Sequence, residues 1–155
     1  MTHMQVVMDE CMEEICWGIA FSTIAHKENA EDFGLTLGGI GGLTSLLRKP
    51  MVEGTTGEAL QAACYALGNL ATSHRPNQDI IMENQGIDRL LGLCTKSMPA
   101  GVLRAACLAL GAIVGDNPAC ISRMMNYHKK DPVPDPATHT LPLPLHQSVL
   151  LSLHF

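Results

Sequence analysis

Apolar residues recur at helical spacing from about Val6 to Asn126, and no stretch alternates in the period of two that marks a half-buried strand. Three segments lie over one another. They are GIAFSTIA (Gly18 to Ala25), CYALGNLA (Cys64 to Ala71) and CLALGAIV (Cys107 to Val114). Each reads small, apolar, Ala, apolar, small, any, apolar, apolar. Ser22, Gly68 and Gly111 share one register. A glycine inside a helix costs about 1 kcal/mol against alanine. Its return at one register predicts that a neighbouring helix backbone comes close there.

A polar break follows each segment and leads to an asparagine: Asn29, Asn77 and Asn117. Four residues later stands an apolar residue, Phe33, Ile81 or Ile121. Asparagine is a good N-cap, because its side-chain oxygen accepts from an orphan helix N–H. Glu31, Asp32 and Asp79 come soon after, where the helix dipole favours anions. Pro118 directly follows Asn117, where proline is best tolerated. All three asparagines are therefore expected to start short helices. A further element occurs twice, as GIGGLTSLL (Gly39 to Leu47) and GIDRLLGLC (Gly86 to Cys94). Gly39 and Gly86 are expected to supply the sharp turn, and the Ile and Leu positions an apolar face.

The order is thus short helix, glycine turn, second helix, polar loop and long third helix, with a period of roughly 43–47 residues. Helical units of this period stack into solenoids. The helical region spans 6–126. It holds a partial unit at 6–25, full units at about 29–72 and 77–114, and a truncated unit at 117–127. The first full unit has the longer loop, RKPMVEGTTGE, before its third helix. Beyond it, prolines at 132, 134, 136, 142 and 144 exclude a continuous helix, so 131–155 reads as a disordered Pro-rich tail.

Composition sharpens this in three respects. With one Trp, two Tyr and three Phe, the core must be built from Ala, Leu, Ile and Gly, which suits closely packed helices. A net charge of −5 argues against a general nucleic-acid binder. Six cysteines include no CxxC pair and no zinc-finger spacing. Cys16, Cys64 and Cys107 fall in apolar runs and are expected to be buried hydrophobes in a reducing compartment. The acidic start MTHMQVVMDECMEE is unlike a secretory signal, and ICWGIAFSTIA is about half a bilayer span. A soluble cytoplasmic or nuclear protein without membrane contact is expected.

The chemistry of catalysis is missing from the pattern. No phosphate loop, G-x-S-x-G or H-E-x-x-H occurs, so neither an enzyme nor a bound cofactor is expected. Trp17 is expected to cover the N-terminal edge. His26 and His74 follow equivalent helices and read as dipole partners or loop residues. Asp9, Glu10, Glu13 and Glu14 form an acidic helix face able to attract a basic segment of a partner.

The run NQDIIMENQGIDRLLGLC, followed by LRAACLALGAIV, resembles the armadillo repeat. The resemblance covers about residues 10–126 and lies in spaced apolar, Gly and Asn positions. It implies an all-α right-handed superhelix that works as a non-catalytic scaffold or adaptor. Such proteins bind an extended peptide or a helix along the concave face of their third helices. In importin-like repeats an aromatic residue and, four later, an asparagine hold the peptide backbone. The matching pair here is Tyr65 and Asn69, whereas Ile19 with Thr23 and Leu108 with Ala112 stand at the other rungs. The resemblance therefore nominates Gln61, Tyr65 and Asn69, with Arg104 near the next rung, as protein-binding residues. ENAEDFGLTLGGIGGLTSLL with NLATSHRPNQDIIMENQGIDRLLGL is also similar to the armadillo-fold nucleotide-exchange cofactors of heat-shock chaperones.

Two complete units are fewer than the three or so a solenoid needs. The chain is then expected to be a fragment or variant of a longer array, with further armadillo repeats as partners. Circular dichroism of residues 1–155 alone should show a broad thermal melt; a sharp cooperative transition contradicts this.

Overall fold

The computed structural model describes residues 3–24, 26–35, 38–48 and 57–130. Within them lie eight α-helices and no strand, so the chain is all-α. They are α1 (His3–Ile24), α2 (Lys27–Leu35), α3 (Gly39–Leu46), α4 (Glu58–Ala71), α5 (Arg75–Glu83), α6 (Gly86–Leu93), α7 (Ala100–Val114) and α8 (Pro118–Lys130). The segment 131–155 and the middle of the loop before α4 lie outside the described residues.

The three long helices form one row, with α4 packed between α1 and α7. The shorter helices make a second layer in which α5 touches both α2 and α8, while α3 packs on α4 and α6 on α7. Small residues set the spacing of the long row. Ala62, Ala63, Ala66, Ala105 and Ala106 are fully buried. A Cβ on Gly68 would lie 3.2 Å from the Ala109 Cα, so the backbone approach expected at this register is present. At Gly111 nothing lies within 4 Å, because no described helix flanks α7 on that side. Ser22 is exposed and bonds its own Ile19 carbonyl at 3.0 Å. The close approach is thus a property of Gly68 and not of the whole register. Between the layers sit Ile40, Leu67, Leu70, Ile81, Ile87, Leu90 and Ile113, none more than 1% exposed.

The asparagines divide. Asn117 is the expected N-cap: its Oδ1 accepts from the Ala119 and Cys120 amides at 3.1 and 3.3 Å. Its Nδ2 also donates to Asp79 Oδ1 at 2.8 Å, so Asp79 joins two helices and is no mere dipole partner. Asn77 is not a cap. Helix α5 begins two residues earlier, with His74 as N-cap accepting from the Asn77 amide through Nδ1 at 3.2 Å. Asn77 itself is fully buried and donates to the carbonyls of Leu70 and Ala30, each at 2.8 Å. Asn29, inside α2, makes the simpler form of this bond, to the Ser22 carbonyl seven residues back at 2.9 Å. Both asparagines serve orphan carbonyls at the end of the preceding helix.

The turns into α3 and α6 also differ from expectation by one residue. The left-handed residues are Gly38 (φ 87°) and Gln85 (φ 63°). Gly39 and Gly86 are needed for space instead. A Cβ on Gly86 would stand 2.4 Å from Ile81 Cγ2. Among the thiols, Cys16, Cys64 and Cys120 are buried, but Cys107 is exposed, because α7 turns it towards its uncovered side.

Asn77 and Gly34 make one unit. A Cβ on Gly34 would fall 1.7 Å from Asn77 Oδ1. Asn77→Ala strands the buried Leu70 carbonyl and removes the tie to Ala30, and should cost about 1–3 kcal/mol in urea unfolding. Gly34→Ala should destabilise the wild type by displacing the amide. In the Asn77→Ala background the same change should be neutral or stabilising, by up to about 1 kcal/mol from helix propensity. Additive effects in the double-mutant cycle contradict the contact.

Candidate functional site

Helix α4 is covered on every side but one. From Leu60 to Ala71 only Gln61, Tyr65 and Asn69 escape burial. Spaced four apart, they form a single line along the helix. Beside them on α1 stands Trp17. Its ring stacks on Phe21 with centroids 5.5 Å apart and meets Tyr65 at 5.7 Å. Trp17, Ala20, Phe21 and Ile24 on one helix, with Gln61, Tyr65 and Asn69 on the other, enclose an open groove of about 330 Å³.

The structure thus brings three of the nominated residues together. Arg104 is exposed on α7 and does not line this groove. Gln61 leans towards α7, since a Cβ on Gly101 would stand 2.1 Å from its Oε1. Asn69 leans the other way. Its Nδ2 donates to the Ala20 carbonyl of α1 at 2.8 Å, which ties the two walls together. The Oδ1 of Asn69 accepts no bond from the described residues and remains available at the groove.

Phe21 and Ile24 are the residues that sequence reasoning missed. They are 66% and 69% exposed. The overlay pairs them with Leu67 and Leu70, both fully buried, and with Leu110 and Ile113, at 8% and 0%. The reason is rotation: α1 buries Cys16, Ala20 and Thr23, which turns Phe21 and Ile24 to the same groove as Tyr65 and Asn69, whereas Leu67 and Leu70 point to the opposite side of α4. Helix α4 has α2, α3 and α5 over its apolar face, and α7 has α5, α6 and α8. Of the short helices, α2 is the main one touching α1. Periodicity marks an apolar face but does not fix how far a helix is turned about its axis when it packs. Trp17 is half-buried and forms the floor of the groove, so its place at the edge and its place in the site coincide.

One end of the groove is acidic. Glu13 lies one turn before Trp17 on α1 and stands close to Glu58 of α4. Burial first, then the nearby carboxyl of Glu58 and the charges of Glu14 and Glu10, raise the Glu13 carboxyl above its ordinary 4.5. A second cleft, about 500 Å³, lies between the turns after α4 and α7 and is lined by Thr72, Ser73, Arg75, Gln78 and Asp116 among others. It is the larger and the more polar of the two, but no nominated residue and no exposed aromatic side chain reaches it.

Among the described residues, no group of three or more His, Cys, Asp or Glu is placed to hold a metal ion. No described helix is long and apolar enough to cross a membrane. Comparison of the chain with protein-family models, curated proteins and solved structures gave no match.

The raised Glu13 has a measurable sign. The folded state holds this proton more tightly than the unfolded state, so stability falls as pH rises above about 4.5. Glu13→Gln should remove that fall and raise the melting temperature at pH 7 slightly. An unchanged pH profile contradicts the Glu13–Glu58 contact.

Proposed function

We propose that this chain is an armadillo-type helical repeat that binds a protein partner in the groove between α1 and α4. The reading rests on one observation above all. Exposed Phe21 and Ile24 stand beside the Gln61–Tyr65–Asn69 line, so apolar anchors and main-chain-reading amides share one open groove. Buried aromatic anchors carry most of the affinity in protein interfaces, and Trp17, Phe21 and Tyr65 supply three of them. Amide side chains both donate and accept, which suits the alternating groups of a peptide backbone. The Asn69 Oδ1 offers an acceptor to a peptide N–H. The row of α1, α4 and α7, with the shorter helices packed on it, supports this reading.

The partner that fits is an extended peptide or a helix that places an apolar side chain over Phe21 and Ile24. A basic residue about three to five positions further along an extended peptide would face Glu13 and Glu58 at the other end of the groove. The groove holds no nucleophile–base pair, and the function is a scaffold's or adaptor's. The available surface extends towards Arg104 on α7, where a longer partner would make a second, weaker contact.

Trp17 is the chain's one tryptophan and lies in the groove, so its emission reports occupancy. A library of peptides pairing an aromatic or aliphatic residue with Lys or Arg should contain members that shift Trp17 fluorescence saturably. Tyr65→Ala should weaken such binding at least tenfold, and Asn69→Ala about three- to tenfold, the latter with some loss of stability through the Ala20 bond. If both substitutions leave a confirmed ligand's affinity unchanged, the groove is not the binding site. Faster nucleotide release from a heat-shock chaperone, with no peptide binding, would favour the exchange-cofactor resemblance instead.

A further inference from the structure

Six thiols are free, and two of them touch. Cys94 Sγ lies 3.9 Å from Cys107 Sγ, within hydrogen-bonding reach for sulfur. Cys107 is exposed on α7, and Cys94 is half-buried at the C-cap of α6. We propose that Cys94 and Cys107 form a dithiol site for covalent oxidation by hydroperoxides, closing to a disulfide that fastens α6 to α7.

The geometry separates this pair from the other cysteines. Cys16 and Cys64 are fully buried. Cys120 is buried and donates to the Gln78 carbonyl at 3.7 Å. Cys11 is exposed near the start of the described residues with no thiol recorded against it. A disulfide needs the two sulfurs at about 2.05 Å, so the pair must approach by roughly 2 Å. The backbone at Cys94 can supply that movement. Cys94 has left the helical conformation (φ −79°, ψ 57°), and the bend of residues 95–98 follows it. On the other side, Cys107 sits in the middle of α7, where its exposed side chain is free to rotate towards Cys94.

Access divides the two roles. Cys107 meets solvent and takes the oxidant. Its thiolate attacks the hydroperoxide, forming an S–O bond as the O–O bond breaks, and the alcohol or water leaves. Cys94 then attacks the sulfenic sulfur. The S–S bond forms, the S–O bond breaks, and the hydroxyl leaves as water with the Cys94 proton. Two thiols are oxidised and one hydroperoxide is reduced. Burial, then the neighbouring Cys107, hold the Cys94 thiol up to about 11, which suits the resolving partner and not the attacking one.

The full-length chain, reduced and then exposed to a few equivalents of hydrogen peroxide, tests this after alkylation and tryptic digestion. The expected product joins peptide 90–96 to peptide 105–123 and disappears with dithiothreitol. The second peptide also contains Cys120, so fragmentation between the two cysteines must place the bond at Cys107. Cys107→Ser, with unchanged helicity, should abolish the linked product. Titration of thiols in denaturant should fall by two. Accumulation of Cys107 as sulfinic or sulfonic acid, with Cys94 recovered alkylated, would overturn the proposal. So would linkage of Cys107 to Cys11 of another molecule.

Discussion

The buried amide of Asn77 holds three helices at once. From α5 it reaches back to the last turn of α4 and across to α2, and it finds its space only because Gly34 has no side chain. The alternative for the Leu70 carbonyl, at the end of α4, is burial without a partner, which is expensive in an apolar interior. That makes the crossing of α2, α4 and α5 a matter of hydrogen-bond geometry as well as of oily contact. The Asn77 Oδ1 is left buried without a donor, so the contact is not free of cost. Gln78 next to it repeats the device, donating to Ala71 and, in the neighbouring long helix, to Ala112. Two consecutive amides thus fasten α5 to α2, α4 and α7.

The groove depends on how α1 is turned beside the fastened helices. Helices α4 and α7 lie under the short helices, and their Leu67, Leu70, Leu110 and Ile113 disappear into the core. Helix α1 is turned so that Cys16, Ala20 and Thr23 are buried, and Phe21 and Ile24 face the groove. The Asn69 bond to Ala20 holds that exposed face beside the Tyr65 line. The resulting surface is apolar along its length and acidic at one end, an arrangement that selects by both shape and charge.

Much of this was legible in the order of residues. The Gly-Ile-x-x-Leu runs marked α3 and α6, and Asn117–Pro118 marked the start of α8. The armadillo resemblance nominated Gln61, Tyr65 and Asn69, and these three form one line on α4. Asn77 was misread as a cap, because capping rules see three residues ahead and not a carbonyl 47 positions behind. Gln85 was missed as the left-handed residue, since nothing in its chemistry favours positive φ and only the turn geometry demands it. Arg104 stands at the right register, but register alone says nothing about the width of a groove. Phe21 failed because an apolar pattern does not fix how far a helix is turned about its axis, and Cys107 because it does not show which flank has no neighbour.

Helix α4 touches α1, α7, α2, α3 and α5, and it cannot leave without breaking both layers. Helix α1 leans mainly on α4 and α2. Loss of order should therefore travel from the flanks inward, with local opening of α1 preceding the global event. The groove would be the first surface to vanish, since half of it belongs to α1. A partner seated there would touch both walls and act as a clasp, slowing the departure of the helix that is easiest to lose.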